Sequence, residues 1–325
     1  MGCYGAGMRA MTYTSYGDGE PAKLTLVDVP PPMPGAGQVL VRVVCSSVNP
    51  IDWKRSTGAM KMILPACFPL TPGYDIAGEV AAVGEGVTEL AVGQRVHARI
   101  GEHAGGAAAE LAVAGVDVTV AIPEGMTHAE AAGLPLAGMT ALQGLRDQTE
   151  LLLEGSKDRV LIVGASGGVG HVGVQIARAA GATVVGVCSA RNRDLVLSLG
   201  AQSTIDYAAK DPYAGQAPFD VILDCVGSEA GPWLPLLGPG GRYASCLPRA
   251  GVFLRSAINI FTEKKVRPVL LKSRAADLAI LDEMFAKKQL RVVVDSHFRL
   301  EDLAAAWERS RTGRAVGKII VDVSV

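Results

Sequence analysis

The stretch RVLIVGASGGVGHVGVQIARAAGA (Arg159–Ala182) joins a short apolar, largely β-branched run to an alanine-rich segment through a turn of closely spaced glycines. Behind the turn, Val172, Ile176 and Ala179 recur at helical spacing. The order is therefore strand, glycine turn, helix. Gly164, Gly167 and Gly170 stand three apart, with Gly168 and Val169 between the last two. In a βαβ unit such glycines make the tight turn, admit a pyrophosphate to the backbone and let the helix pack closely on the strand. The helix N-terminus offers free N–H groups and a positive dipole end to phosphate. Ala165 breaks the strict GxGxxG register. The same letters also suit a ligand-free turn; the flanking strand and helix favour a nucleotide.

The nature of that nucleotide is read at the end of the next strand, about 20 residues on, where an NAD site usually carries Asp or Glu for the ribose hydroxyls. This chain has VCSARN (Val187–Asn192) there, with no carboxylate. Arg191 places a guanidinium within reach of a 2′-phosphate, so NADPH is the expected cofactor.

The 325 residues are enough for two domains, each with a core, and carry a formal net charge of −1. That balance shows no electrostatic footprint for nucleic acid or an anionic membrane surface. Cysteines 3, 45, 67, 188, 225 and 246 are scattered without a CxxC pair and read as reduced, buried thiols of a cytoplasmic protein. The opening MGCYGAGM is near an acylation motif, but Ala6 stands where Ser or Thr is wanted, and Met8 could equally be the start. The expectation is an untethered tail. No apolar stretch is long enough to span a bilayer.

Residues from about Arg9 to Pro123 read as strands broken by turns, among them QVLVRVVCSSV (Gln38–Val48). From Arg159 strands alternate with helices, which argues for a parallel sheet covered on both faces. The tail returns to strand, helix, strand and is expected to rejoin the first zone. The expected architecture is an α/β chain: a doubly wound parallel sheet plus a β-rich domain. The expected divisions are 1–125, 126–270 and 271–325.

This pattern resembles the medium-chain dehydrogenase/reductase superfamily, with a GroES-like catalytic domain and a Rossmann domain. Where its zinc enzymes place a ligand Cys and a Gly-His-Glu, this chain has SVNPIDWK (Ser47–Lys54) and TPGYDIAG (Thr71–Gly78). Asn49, Tyr74 and Asp75 stand at the would-be ligand positions and do not supply the converging donors that Zn²⁺ needs. NPIDWK, LPLAGMTALQGL, SARNRDLVLSLGA, TIDY and GKIIV resemble the zinc-free branch of plant quinone and enone oxidoreductases, over about Arg9 to Val323.

That resemblance implies that Gly168 and Val169 touch the pyrophosphate. It also implies that Ser189, Ala190, Arg191, Asn192 and Tyr207 hold the adenosine 2′-phosphate. Leu247, Gly317 and Lys318 would line the nicotinamide side, and Thr140 would face the cofactor as well. Lys54 is the candidate catalytic group, an ammonium that donates to the carbonyl oxygen as an activated C=C is reduced; its alternative is a surface lysine in a mobile loop. Asn49 joins it as a candidate, and with Asp52 it also reads as a turn former. Met60, Met62, Ile63, Leu64 and Phe68 suit a substrate lid or a core loop. His103 and His171 are weak candidates, the latter packing at a helix start. Competing readings are a trans-2-enoyl thioester reductase and a low-turnover nucleotide-binding protein. A homodimer is expected by analogy.

Overall fold

A computed structural model describes residues 7–101, 105–228 and 230–324. The acylation-like opening before Gly7, Cys3 and His103 lie outside the described residues. The chain forms two compact units, one gathering residues up to Leu136, Ser273–Ala286 and Val294 onward, the other Ala137–Lys272 and Lys287–Val293. The first break follows Leu136 rather than residue 125, because the capped helix His128–Gly133 packs on the strands that precede it.

The first unit opens with a two-stranded antiparallel ribbon, β1 (Met8–Thr12) and β2 (Thr25–Val29). Its main sheet uses β3 (Gln38–Val48), β4 (Asp75–Val83), β5 (Arg95–Arg99), β6 (Leu111–Gly115) and β7 (Thr119–Ala121). In the second unit, β8 (Arg159–Val163), β9 (Thr183–Cys188), β10 (Ser203–Asp206), β11 (Phe219–Asp224), β12 (Leu237–Ser245) and β13 (Lys265–Pro268) form a parallel sheet. Its order is β10-β9-β8-β11-β12-β13. The final strands, β14 (Val294–Arg299) and β15 (Lys318–Asp322), lie in the first unit, where β15 pairs antiparallel with β3 through Ile319–Val48 and Ile320–Ser47. The helices are α1 (Pro50–Ser56), α2 (His128–Gly133), α3 (Pro135–Gln143), α4 (Gly170–Ala179), α5 (Arg193–Ser198), α6 (Ala250–Ala257), α7 (Ala275–Ala286) and α8 (Leu303–Arg311).

The second unit explains its own sequence. Parallel strands covered on both faces read as continuous apolar runs, and Val160 to Val163 of β8 are all buried between β9 and β11. Helix α4 is buried all round from Gly170 to Ala177. In the first unit, Val41, Ile76, Val96 and Ile319 of the sheet share a core with Leu303, Ala306 and Trp307 of α8.

Three expectations are corrected. NPIDWK is not a mobile loop: Pro50 starts α1, where its fixed φ suits a first helical position, and the Asp52 carboxylate accepts the Asn49 N–H at 2.7 Å. The stretch after α1 is not a core loop, because Met62 and Ile63 are 90% and 78% exposed. The thiols are not all buried: Cys45 and Cys188 are, Cys67 is exposed, and Cys225 and Cys246 are half-buried. Among the described residues no helix is long and apolar enough to cross a membrane.

Candidate functional site

In the second unit the glycine turn is built by steric necessity. Gly164 leaves β8 with φ +76°, a conformation open to glycine at little cost. A Cβ on Gly170 would lie 2.1 Å from the Gly164 carbonyl oxygen, so the first residue of α4 must be glycine for the turn to close. Gly164 and Ala165 N–H donate to the Val187 carbonyl at 3.0 and 2.9 Å, tying the turn to the end of β9. Gly167, Gly168 and Val169 complete the approach to the α4 N-terminus, where two successive glycines leave the backbone N–H groups open to a phosphate. His171 is buried in α4, with Nδ1 at 3.0 Å from the Gly167 carbonyl, and presents nothing to a ligand.

The end of β9 continues as Ser189 and a single helical turn, Ala190–Asn192. Asn192 Nδ2 donates to Ser166 Oγ at 2.9 Å, which fixes this turn against the glycine turn. Arg191 is exposed and has no ion-pair partner among the described residues. Tyr207, 60% exposed, follows β10, whose Asp206 pairs with Cys188. Ser189, Arg191 and Tyr207 therefore emerge from neighbouring strand ends. The residues fit a 2′-phosphorylated dinucleotide. Thr140 is buried on α3, and Leu247 follows β12 half-exposed.

The first unit holds a buried polar cluster. Asp75, the first residue of β4, is fully buried, and its Oδ2 accepts Asn49 Nδ2 at 2.9 Å and Ser47 Oγ at 3.0 Å. Its Oδ1 accepts the Leu136 N–H at 3.0 Å. The Lys318 ammonium donates to Asn49 Oδ1 at 2.7 Å and lies 3.7 Å from Asp75 Oδ2. Burial pushes the Lys318 ammonium below its ordinary range, while Asp75 and Asp52 pull it back up. Burial drives Asp52 the other way, up to about 7, against the Asn49 N–H that favours its charged form. Tyr74 accepts Arg55 Nη1 at 3.1 Å, and the Arg99 guanidinium lies 5.3 Å from its ring centroid.

This donor set does not fit zinc. Asn49 uses both ends of its amide, Asp75 uses both oxygens, and an ammonium already occupies the space they share. A dication needs three or four lone pairs converging on one point. Among the described residues no group of three or more His, Cys, Asp or Glu is arranged to hold a metal.

Lys54 is half-buried on α1, with Nζ 5.5 Å from the Trp53 ring centroid. Gly317 (φ +83°) turns the chain into β15 and is buried with Lys318. The structure thus joins Asn49 and Lys318, which the sequence had placed in different roles, and engages the Lys318 head within the protein. The sequence reading missed Asp224, which ends β11 and accepts the N–H groups of Val226, Gly227 and Ser228 together with the Tyr243 hydroxyl. A carboxylate closing the apolar run FDVIL was its only signal.

The family model for alcohol dehydrogenase GroES-like domains matches residues 35–126, and that for zinc-binding dehydrogenases matches residues 199–321. The chloroplast envelope quinone oxidoreductase homolog of Arabidopsis thaliana is 38% identical, over 97% of this chain and 98% of its own. The NADPH-dependent alkenal/one oxidoreductase of the same plant is 33% identical over 81% of this chain and 72% of its own. The solved quinone oxidoreductase of Coxiella burnetii superposes with a TM-score of 0.87 at 30% identity, covering 98% of this chain and 99% of that one.

Proposed function

Because this chain belongs to the medium-chain dehydrogenase/reductase superfamily, beside quinone and enone oxidoreductases, we propose that it is an NADPH-dependent, zinc-independent reductase. Its substrate class is the activated C=C of an enone, or a quinone. One observation carries the reading. Asn49 and Asp75, which stand where the resemblance puts ligands of the zinc enzymes, bond to each other and are engaged by the Lys318 ammonium from β15. Polarisation of a substrate carbonyl then falls to a side-chain cation.

Lys54 takes that role. As the β-carbon is reduced, negative charge collects on the carbonyl oxygen, and an ammonium aimed there lowers the barrier. Asn49 holds the start of α1, and so the placement of Lys54 one turn on, through its N–H bond to Asp52. The stretch Ser56–Phe68 contains no tyrosine, so this reading assigns no tyrosine there to protonate the remaining carbon. In the second unit the Gly164–Gly170 turn cradles the pyrophosphate, and Ser189, Arg191 and Tyr207 hold the 2′-phosphate. When bound, NADPH supplies the hydride.

The test follows nicotinamide oxidation with enones, quinones and trans-2-enoyl thioesters, with NADPH and with NADH, before and after exhaustive chelation. Turnover of enones or quinones with NADPH, unchanged by chelation and without stoichiometric zinc, is the expected result. Preference for enoyl thioesters, or activity lost on chelation and regained with zinc, would overturn it. We also propose a homodimer in the cytoplasm, checked by light scattering and by cell fractionation. The chloroplast names of both Arabidopsis relatives make fractionation the sharper of the two.

A further inference from the structure

Two cysteines that this chemistry leaves unused end neighbouring strands at the carboxyl edge of the parallel sheet, the edge where doubly wound folds bind ligands. Strands β11 and β12 run in register up to Asp224–Ser245, so Cys225 and Cys246 are the next pair along. The ladder continues through them: Cys225 N–H donates to the Val163 carbonyl at 3.1 Å and Cys246 N–H to the Asp224 carbonyl at 2.8 Å. Parallel neighbours stand about 4.8 Å apart and matched positions share a face. That separation lies within the range of about 4.4–6.8 Å that a disulfide spans. The neighbouring Cys246 sulfur and burial push the Cys225 thiol up. Both cysteines are half-buried rather than sealed.

The same two residues anchor the loops beside the nucleotide cradle. Asp224 holds Val226, Gly227 and Ser228 by their N–H groups. Gly164 faces Val226 so closely that an added Cβ would lie 2.6 Å from its Cγ1. Gly227 (φ +73°) faces Leu247 at the same distance. The loops that follow the two cysteines thus border Gly164 of the glycine turn and carry Leu247, so a change of geometry at the cysteines acts on residues beside the cradle.

We propose that Cys225 and Cys246 form a reversible disulfide when a hydroperoxide reaches them, and that this cross-link weakens NADPH binding. The second part rests on the cofactor reading above. Cys246 Sγ attacks the peroxide, the O–O bond breaks, and an alcohol or water leaves with the thiol proton, giving a sulfenic acid. Cys225 Sγ then attacks Cys246 Sγ, the S–O bond breaks, and water leaves with the second thiol proton. Two sulfurs are oxidised by one electron each and one peroxide bond is reduced. An S–S bond of about 2.05 Å with its fixed dihedral locks the two side chains, and so the two loop bases, into one geometry. Dithiothreitol reverses the step by exchange.

The experiment treats the whole protein with hydrogen peroxide, maps peptides without reduction, and measures NADPH affinity by fluorescence titration before and after. Expected are a Cys225–Cys246 linked peptide lighter by two hydrogens and roughly tenfold weaker NADPH binding, both reversed by dithiothreitol. Cys225→Ser and Cys246→Ser, made separately, should keep their NADPH affinity through the same treatment. Absence of the linked peptide overturns the proposal, as does an unchanged affinity in the linked protein. So does equal sensitivity of the serine variants, which would point to Cys67 or Cys188. The linked peptide is read by mass alone, so a reduced protein that never bound NADPH would refute the cofactor reading by its own titration, and the gating with it.

Discussion

Replacing Lys318 by Met tests whether the buried cluster is a matched charge system or a set of independent hydrogen bonds. The substitution keeps the apolar stem and removes the ammonium from Asn49 Oδ1 and from Asp75 Oδ2, 3.7 Å away. At that distance, with an effective dielectric of about 20, the attraction between unit charges is about 4–5 kcal/mol. Asp75 keeps its bonds from Asn49, Ser47 and Leu136, but its charge stays buried without that cation. Removing one partner of such a pair commonly costs about 3–5 kcal/mol. Asp75→Asn alone should cost a similar amount by stranding the ammonium. The double variant, with both charges gone, should cost less than the sum of the two by about 2 kcal/mol or more. The assay is urea unfolding followed by tryptophan fluorescence in a Trp233→Phe background, so that Trp53 and Trp307 report on the first unit alone. Two single variants within about 0.5 kcal/mol of the parent, or losses that simply add, would refute the reasoning.

Arg191→Ala should weaken NADPH by about 10- to 100-fold, the worth of a charge-assisted contact to phosphate, and leave NADH nearly unchanged. Equal losses in titrations of both cofactors would remove Arg191 from the 2′-phosphate site. Lys54→Met should lower enone turnover by about 100- to 1,000-fold with the unfolding midpoint preserved; an enone rate equal to the parent's would return Lys54 to an ordinary helix residue. Asp52 has its folded pKa raised to about 7 from 3.8, so it binds more protons folded than unfolded between those values. Its contribution is fully present below about pH 4 and is lost as pH rises through 7. Asp52→Asn should therefore flatten the fall in stability between pH 4 and 7 and gain about 1 kcal/mol over the parent near pH 8. Urea midpoints measured across that range decide it, and parallel pH profiles for the two proteins would contradict the assignment.

The metal question shows how a sequence and its fold divide the work. Asn49, Tyr74 and Asp75 already argued against zinc by residue type, because an amide and a phenol are poor substitutes for thiolate and imidazole. What filled the space was not legible. Lys318 stands 269 positions from Asn49 and read as a cofactor contact on the strength of GKIIV. It becomes Asn49's partner only because β15 pairs antiparallel with β3 and sets Ile319 opposite Val48. The same limit applied to Cys225 and Cys246. Scattered cysteines without a CxxC spacing carry no local signal, and their adjacency is created by the pairing of two parallel strands whose crossover separates them in sequence.

Local physics determined the rest from the chain alone. The β-branched run, the glycines and the helical spacing of Arg159–Ala182 specify strand, turn and helix within one short window. Nothing distant is needed to require glycine where a Cβ would strike the Gly164 carbonyl. The missing acid after β9 and the arginine beside it are likewise set by position along one strand. Tertiary structure decided which buried charges meet and which thiols face each other. Those outcomes depend on strand register and burial, which bring together residues far apart in sequence and shift their ionisation by removing water.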